Sequence, residues 1–157
     1  MQNILKSMLW AILLCFSHAS FAASTPVTKA NIQQKAELDT QQLKTLWKNY
    51  QNHIQQMNRA LPALKQQKDV QQKNAMISQY NRYLEQTKNS LSLLILSQTS
   101  AVQLRQQLTE HATKYQNVYK LAAVENMSEH QLNAWQRLST QTENLYQTLQ
   151  STAQSIY

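Results

Sequence analysis

The stretch LKTLWKNYQNHIQQMNRAL (residues 43–61) decides the fold class of this chain. Its apolar residues recur at every third or fourth position, which places them on one side of an α-helix. Ile32 and Ala36 continue this apolar stripe back toward Thr28, which we expect to cap the start of the helix. The stripe consists of Leu43, Leu46, Tyr50, Ile54, Met57 and Leu61. The spacing therefore predicts a first helix over residues 28–61.

The composition extends this prediction to the whole chain. There is no glycine among the 157 residues, whereas average usage of about 7% would give roughly eleven. Glycine supplies the positive φ angles of hairpin turns, phosphate-binding loops and nucleophile elbows. Its absence therefore predicts an all-α protein and excludes P-loops, dinucleotide-binding fingerprints and α/β-hydrolase elbows.

A second apolar stripe follows the first proline of this region. Pro62 disfavours the helical conformation in the residue before it, so we expect residues 60–63 to end or kink the run. We place the end of the first helix at residue 61 and the second helix over residues 63–96. The polar cluster SQTS at 97–100 indicates a turn. Without a break there, residues 63–125 would form one long helix of an extended coiled coil.

Two more helices complete the predicted architecture. The third covers residues 100–125, and the fourth covers residues 128–156. The fourth begins with Ser128 as N-cap and Gln131 reaching back to it, which is a capping box. The prediction is an all-α, amphipathic bundle of three to four long helices in up-down order, or long helical hairpins with coiled-coil character.

The amino-terminal residues have the layout of a secretory signal peptide. Lys6 precedes an apolar stretch over residues 8–16, and small residues, Ser20 and Ala22, follow. We expect cleavage after Ala22, which leaves residues 23–157 as a single helical domain in the periplasm or outside the cell. The apolar stretch is shorter than the run of about 20 residues that spans a membrane.

Cys15 is the one cysteine of the chain. Lipoprotein export needs a small residue directly before the cysteine, and bulky Leu14 stands there. We therefore expect Cys15 to leave with the signal peptide, and the exported protein not to be a lipoprotein.

The residues that enzymes use are sparse and scattered. His53, His111 and His130 belong to different predicted helices, and Asp39 and Asp69 are the only aspartates. No pair of histidines has the i,i+4 spacing of two zinc ligands on one helical face. The sequence thus predicts no enzyme, no catalytic or metal-binding residues, and no cofactor.

A short segment, LSLLIL (91–96), is the most apolar part of the chain after the amino terminus. Six residues cannot span a membrane. Two interpretations remain: the segment lies in the most crowded part of the bundle, or a partner covers it. Its candidate interface residues are Leu91, Leu93, Leu94, Ile95 and Leu96.

The net charge is +7, and basic residues are concentrated in the first half of the chain. A basic surface keeps a protein soluble and suits anionic partners such as acidic proteins or lipid headgroups. Contact with a membrane surface is compatible with this charge but not required. The candidate basic face consists of Lys44, Lys48, Arg59, Lys65, Lys68, Lys73, Arg82 and Lys88.

Tyrosines recur in pairs at helical spacing, Tyr80 with Tyr83 and Tyr115 with Tyr119. Such rings can stack on sugars or bases. We favour a half-exposed seam whose hydroxyls reach solvent, and we expect no nucleic acid partner for an exported protein.

The segment STPVTKANIQQ, followed by the glutamine-rich helix of residues 43–61, resembles exported minor-pilin subunits of type IV secretion and conjugation systems. The resemblance covers residues 25–61. It implies a helical subunit or accessory of an envelope assembly, with a protein partner there or with self-association.

LDTQQ (38–42) and MSEHQ (127–131) are similar in shape to the helix starts of small periplasmic stress chaperones. That resemblance implies the alternative function, a holdase that binds unfolded clients. In either case we expect a non-enzymatic protein that works by binding other proteins.

Overall fold

The computed structural model describes residues 29–122, 124 and 126–157, which form four helices and no strand. The fold class predicted from the sequence is confirmed. The predicted signal peptide, Cys15 and the Thr28 cap lie outside the described residues. The helices are α1 (Lys29–Gln66), α2 (Val70–Ser92), α3 (Thr99–Ala122) and α4 (Glu129–Ile156).

The helices alternate in direction along the chain. The short turn between α1 and α2 brings Gln67 within 2.9 Å of Gln72, which closes a helical hairpin. On α1, Tyr50 contacts His111 of α3, and the later residue Asn58 contacts the later residue Tyr115. Residue numbers therefore increase in the same direction along both helices, so α1 and α3 are parallel. The result is an up-down-up-down bundle, with α2 and α4 antiparallel to α1 and α3.

α3 is the central helix of the bundle and packs against all three others. Ten of its 24 residues are buried, and they face α1, α2 and α4 from different sides of the same helix. The fully buried side chains of the bundle include Leu43, Tyr50, Met57, Leu64, Leu84, Leu91, Leu104, Leu108, Tyr119 and Leu149. The first stripe read from the sequence therefore forms the α1 side of the core.

The prediction that the first helix ends before Pro62 is wrong, since α1 continues to Gln66 with this proline inside it. A proline inside a helix removes one hydrogen bond and clashes with the preceding turn, at a cost of about 3 kcal/mol. The side chain of Leu64 is fully buried, and Leu61 packs against the core. Burial of these two leucines offsets the cost of the proline.

The break between α1 and α2 lies instead at residues 67–69. Asp69 caps α2, and its Oδ1 accepts hydrogen bonds from the backbone N–H groups of Gln71 at 2.8 Å and Gln72 at 3.2 Å.

The second helix also ends earlier than predicted, at Ser92, and residues 93–98 form a non-helical linker before α3. Residues 63–125 are therefore not one helix, and the break includes part of the apolar segment. The start of α4 is as predicted, because Ser128 and Gln131 form the capping box from both sides. Glu110 and Lys114 form the i,i+4 ion pair that their spacing permits, at 3.6 Å.

Candidate functional site

The apolar segment 91–96 divides between the core and the surface. Leu91 and Leu94 are buried, and Leu96 is partly buried against the core. Leu93 and Ile95 are 77% and 50% exposed. Leu91, Leu94 and Leu96 therefore fit the core interpretation. Leu93 and Ile95 face outward, and for them the partner interpretation stays a prediction.

The linker is fixed in place by polar groups of α1 and α3. The backbone N–H of Ile95 donates to Asp39 Oδ2 at 2.7 Å, and Arg105 donates to the carbonyl of Leu94 at 2.9 Å. Asp39 is buried and is also paired with Lys35 at 3.2 Å. This role of Asp39 was not predicted from the sequence, although an aspartate beside the apolar stripe of a helix is a signal for it.

Further exposed aliphatic residues lie at the same end of the bundle. Ile32 and Leu38, on the first turns of α1, are about half exposed, at 51% and 58%. Asp39, the residue after Leu38, holds the linker, so this part of α1 lies beside it. We call Ile32, Leu38, Leu93 and Ile95 the apolar end.

The predicted basic residues do not form a single exposed face. Lys73 is only 6% exposed, so it is not part of any basic surface. Lys88 is partly buried and bonds to Glu85 at 2.8 Å and to Gln116 at 3.3 Å. Lys68 lies in the turn before α2, and Arg82 lies on the exposed side of α2.

Three of the predicted basic residues, Lys44, Lys48 and Lys65, lie on the side of α1 toward α4. The Nζ of Lys44 is 5.0 Å from the ring centre of Tyr157, and that of Lys65 is 4.8 Å from the ring of Trp135. Lys48 lines the groove between α1 and α4, and Arg59 is exposed. The cations over aromatic rings contribute to the contact between the two helices.

A depression of about 630 Å³ lies between α2 and α3. Its charged groups are already bonded within the protein: Lys88 to Glu85, Lys114 to Glu110, and Arg105 to the carbonyl of Leu94. These groups line a solvated surface groove. Because they are already bonded within the protein, the groove is a poor candidate for a ligand-binding site.

A second cavity, of about 330 Å³, lies between α1, α3 and α4 and is rich in aromatic rings. At its edge, the ring of Tyr146 on α4 packs against that of Trp47 on α1, with the ring centres 6.0 Å apart. We call it the aromatic cavity. It is lined by Ile54, Asn58, Leu61, His111, Tyr115, Val118, Tyr119, Trp135, Ser139, Thr142, Glu143 and Tyr146.

The tyrosines of this region differ from the half-exposed seam expected from their spacing. Tyr115 and Tyr119 are buried, and Tyr80 packs edge-on against Tyr119 at 5.0 Å. The hydroxyl of Tyr115 donates to Asn58 Oδ1. Burial, together with the nearby charge of Glu143, raises the pKa of Tyr115, so this hydroxyl stays protonated and serves as a donor.

His111 lies at the inner wall of the aromatic cavity and is 1% exposed. The hydroxyl of Tyr50 lies 2.6 Å from its Nδ1, and the ring of Tyr115 stacks on it at 5.7 Å. Burial lowers the pKa of His111 to about 4, and a hydrogen bond to the backbone of Thr142 opposes this in part. The imidazole is therefore neutral at pH 7, with Nδ1 accepting from Tyr50.

Among the described residues, no group of three or more histidine, cysteine or acidic side chains is placed to hold a metal ion. None of the helices in residues 29–157 combines the length and the apolar character that crossing a lipid bilayer demands. Comparison of the chain with protein-family models, with curated proteins and with solved structures found no match.

Proposed function

We propose that this chain is an exported, non-enzymatic helical protein that binds a protein partner in the bacterial cell envelope, as a subunit or accessory of a secretion assembly. The observation that supports the proposal is the apolar end, where Leu93 and Ile95 project from a linker held by Asp39 and Arg105. Apolar side chains on a fixed backbone lose little conformational entropy on binding. The signal-peptide pattern of residues 1–22 supports export.

The charges near the apolar end favour a protein partner over a lipid surface. Residues 29–40 contain two lysines, Lys29 and Lys35, and two acids, Glu37 and Asp39. Anionic lipid headgroups attract segments with a clear excess of basic residues, and this segment has none. The expected occupant is an apolar segment of another envelope protein.

The test is recovery of the partner by variants of the apolar end. Leu93→Asp and Ile95→Asp are expected to abolish co-purification of one defined envelope protein, because a buried aspartate without a counter-charge would be costly at the interface. Val70→Asp is the matched control, since Val70 is 63% exposed but lies at the opposite end of α2. Equal recovery by all three variants, or equal loss, would contradict the proposal.

Leu93→Asp and a further variant, Leu94→Asp, distinguish residues that bind a partner from residues that form the core. Leu94, beside Leu93, is 4% exposed, so Leu94→Asp is expected to unfold the protein. Leu93→Asp is expected to keep its helical circular dichroism and its urea midpoint. If Leu93→Asp unfolds the isolated protein, the apolar end is part of the core and the proposed interface is wrong.

A holdase-type chaperone is the competing function. It would suppress aggregation of unrelated unfolded proteins at near-stoichiometric ratios and would not select one partner. We expect no such suppression. Suppression of several unrelated clients that is lost in Leu93→Asp would replace the assembly role with the chaperone role.

A further inference from the structure

Three polar atoms of residues that line the aromatic cavity are buried and have no hydrogen-bond partner among the described residues. They are the hydroxyl of Tyr119 on α3, the indole Nε1 of Trp135 and the hydroxyl Oγ of Ser139. Trp135 and Ser139 form a pair, one helical turn apart on the same side of α4. The indole N–H is a donor only, whereas a serine hydroxyl both donates and accepts. Buried polar groups of folded proteins are nearly always satisfied, so this pair requires an explanation.

Neighbouring polar groups of the cavity are already used within the protein. The hydroxyl of Thr142 donates to the carbonyl of Leu138 at 2.6 Å, and that of Tyr115 donates to Asn58. Nδ1 of His111 lies 2.6 Å from the hydroxyl of Tyr50. These groups are not bonded to Trp135 or Ser139, so the partner of the pair is either a buried water or another bound molecule.

The walls of the cavity indicate the shape and charge of that molecule. The rings of Tyr115, Tyr146 and Trp135 line it together with aliphatic side chains such as Ile54 and Val118, and flat rings stack well on such surfaces. Of the described residues that line the cavity, Glu143 supplies the only formal charge while His111 is neutral. A carboxylate there disfavours an anionic ligand.

We propose that the aromatic cavity binds an uncharged ring compound with an acceptor oxygen, such as a carbonyl, directed at Trp135 and Ser139. Its volume of about 330 Å³ lies within the range of small-molecule sites, which begins at roughly 300 Å³. At about 30 Å³ for each water-sized group, it has room for a ligand of roughly ten non-hydrogen atoms. The proposal is independent of the apolar end, which lies at the end of the bundle.

The test follows the indole N–H signal of Trp135 by NMR of the full chain, assigned with Trp135→Phe. The probe is benzamide, a neutral ring with a carbonyl. We expect a saturable shift of this signal at millimolar benzamide. Toluene, which lacks the acceptor, is expected to bind at least about tenfold more weakly, the loss that follows from one unmade buried hydrogen bond. Benzoate has acceptor oxygens but is anionic, and it is expected to bind more weakly because its charge would be placed near the carboxylate of Glu143.

Variants assign the binding to this cavity. Ser139→Ala is expected to weaken benzamide binding about tenfold, and Ser139→Phe, which fills the cavity, to abolish it. Ser151→Ala is the control, because Ser151 lies on the exposed side of α4 and bonds to the carbonyl of Gln147. No saturable shift with benzamide, equal binding of toluene, or equal binding by Ser139→Ala would overturn the proposal and indicate a cavity filled by water only.

Discussion

At the scale of single residues, His111 shows how burial changes the chemistry of a side chain. Its ring is enclosed by α1, α3 and α4, and its Nδ1 is occupied by the Tyr50 hydroxyl at 2.6 Å. Protonation would place a charge in the core, and the Tyr50 hydroxyl would have to change from donating to Nδ1 to accepting from Nδ1–H. The folded protein therefore resists protonation of this residue.

The consequence is a loss of stability in acid. The unfolded chain protonates His111 near pH 6.5, whereas the folded protein does so only near a pKa of about 4. Between these values the unfolded state binds more protons, so the free energy of unfolding falls as the pH is lowered from 6.5 to 4, by roughly 2–3 kcal/mol. Urea titrations at several pH values measure this slope.

Variants at two histidines test whether His111 causes this fall in the free energy of unfolding between pH 6.5 and 4. His111→Gln is expected to lower the stability at pH 7 but to remove most of the decline between pH 6.5 and 4. His130→Gln, at an exposed position, is expected to leave the decline unchanged. Burial also lowers the pKa of His53 to about 4, and we expect a smaller contribution from this more exposed ring. An identical slope in His111→Gln and the unmodified protein would refute the assignment.

Asp39 is the second residue whose environment determines its role. Its carboxylate joins α1 to the linker through the Ile95 N–H, and Asp39→Ala would leave that donor without its partner. We expect a loss of about 1–3 kcal/mol in the free energy of unfolding, together with faster exchange of the Ile95 amide proton. Lys35→Ala, which removes only the half-exposed partner of the ion pair, is expected to cost less than about 1 kcal/mol. Equal losses would show that the ion pair, and not the bond to the linker, fixes this end.

At the scale of helices, the sequence predicts which face of a helix is buried better than it predicts the residue at which the helix ends. The stripe from Leu43 to Met57 was sufficient to place α1 and its buried side, because helical periodicity is a local property. The end of α1 depends on whether burial of Leu61 and Leu64 outweighs the cost of Pro62, and that balance is set by α3 and α4, which are distant in sequence. Only the capping box at Ser128, whose two partners are three residues apart, gave a boundary from local chemistry alone.

Pro62 is therefore expected to be a weak point of α1. It is exposed, so Pro62→Ala restores a backbone N–H and removes the clash with the preceding turn without disturbing the core. We expect a gain of roughly 1–2 kcal/mol, less than the full 3 kcal/mol because the unfolded chain also gains freedom when proline is lost. The urea midpoint and the helical circular dichroism signal at 222 nm should both increase. A decrease would mean that the proline-induced geometry is itself needed for packing α1 against the core.

At the scale of the whole molecule, the aromatic cavity could not be predicted from the sequence. Its residues come from α1, α3 and α4, and the sequence does not indicate which helices stand apart in the bundle. The same holds for the basic residues, which the sequence grouped by their position along the chain. In the folded protein, Lys44 and Lys65 cover rings of α4, while Lys73 is buried. Local patterns identify which side chains are amphipathic, but the packing of the helices decides what those side chains contact.

The position of α3 at the centre of the bundle leads to a prediction about cooperativity. Leu108, in the middle of α3, is fully buried, and α1, α2 and α4 each lose part of their packing when α3 is disturbed. Leu108→Ala is expected to lower the free energy of unfolding by about 2–5 kcal/mol. That is a large part of the 5–15 kcal/mol typical of a domain, and the loss should be shared by all four helices.

Two probes can test whether the loss is shared. Trp47 and Trp135 report on α1 and α4 by fluorescence, while circular dichroism reports on every helix. In both the unmodified protein and Leu108→Ala, the urea transitions from the two probes are expected to coincide, as they do for a two-state domain. Leu93→Ala is the matched control, because Leu93 is 77% exposed and its truncation should change stability by no more than about 0.5 kcal/mol. Separate transitions in Leu108→Ala would show that the α1–α2 hairpin holds together without α3, and that α3 does not organise the bundle.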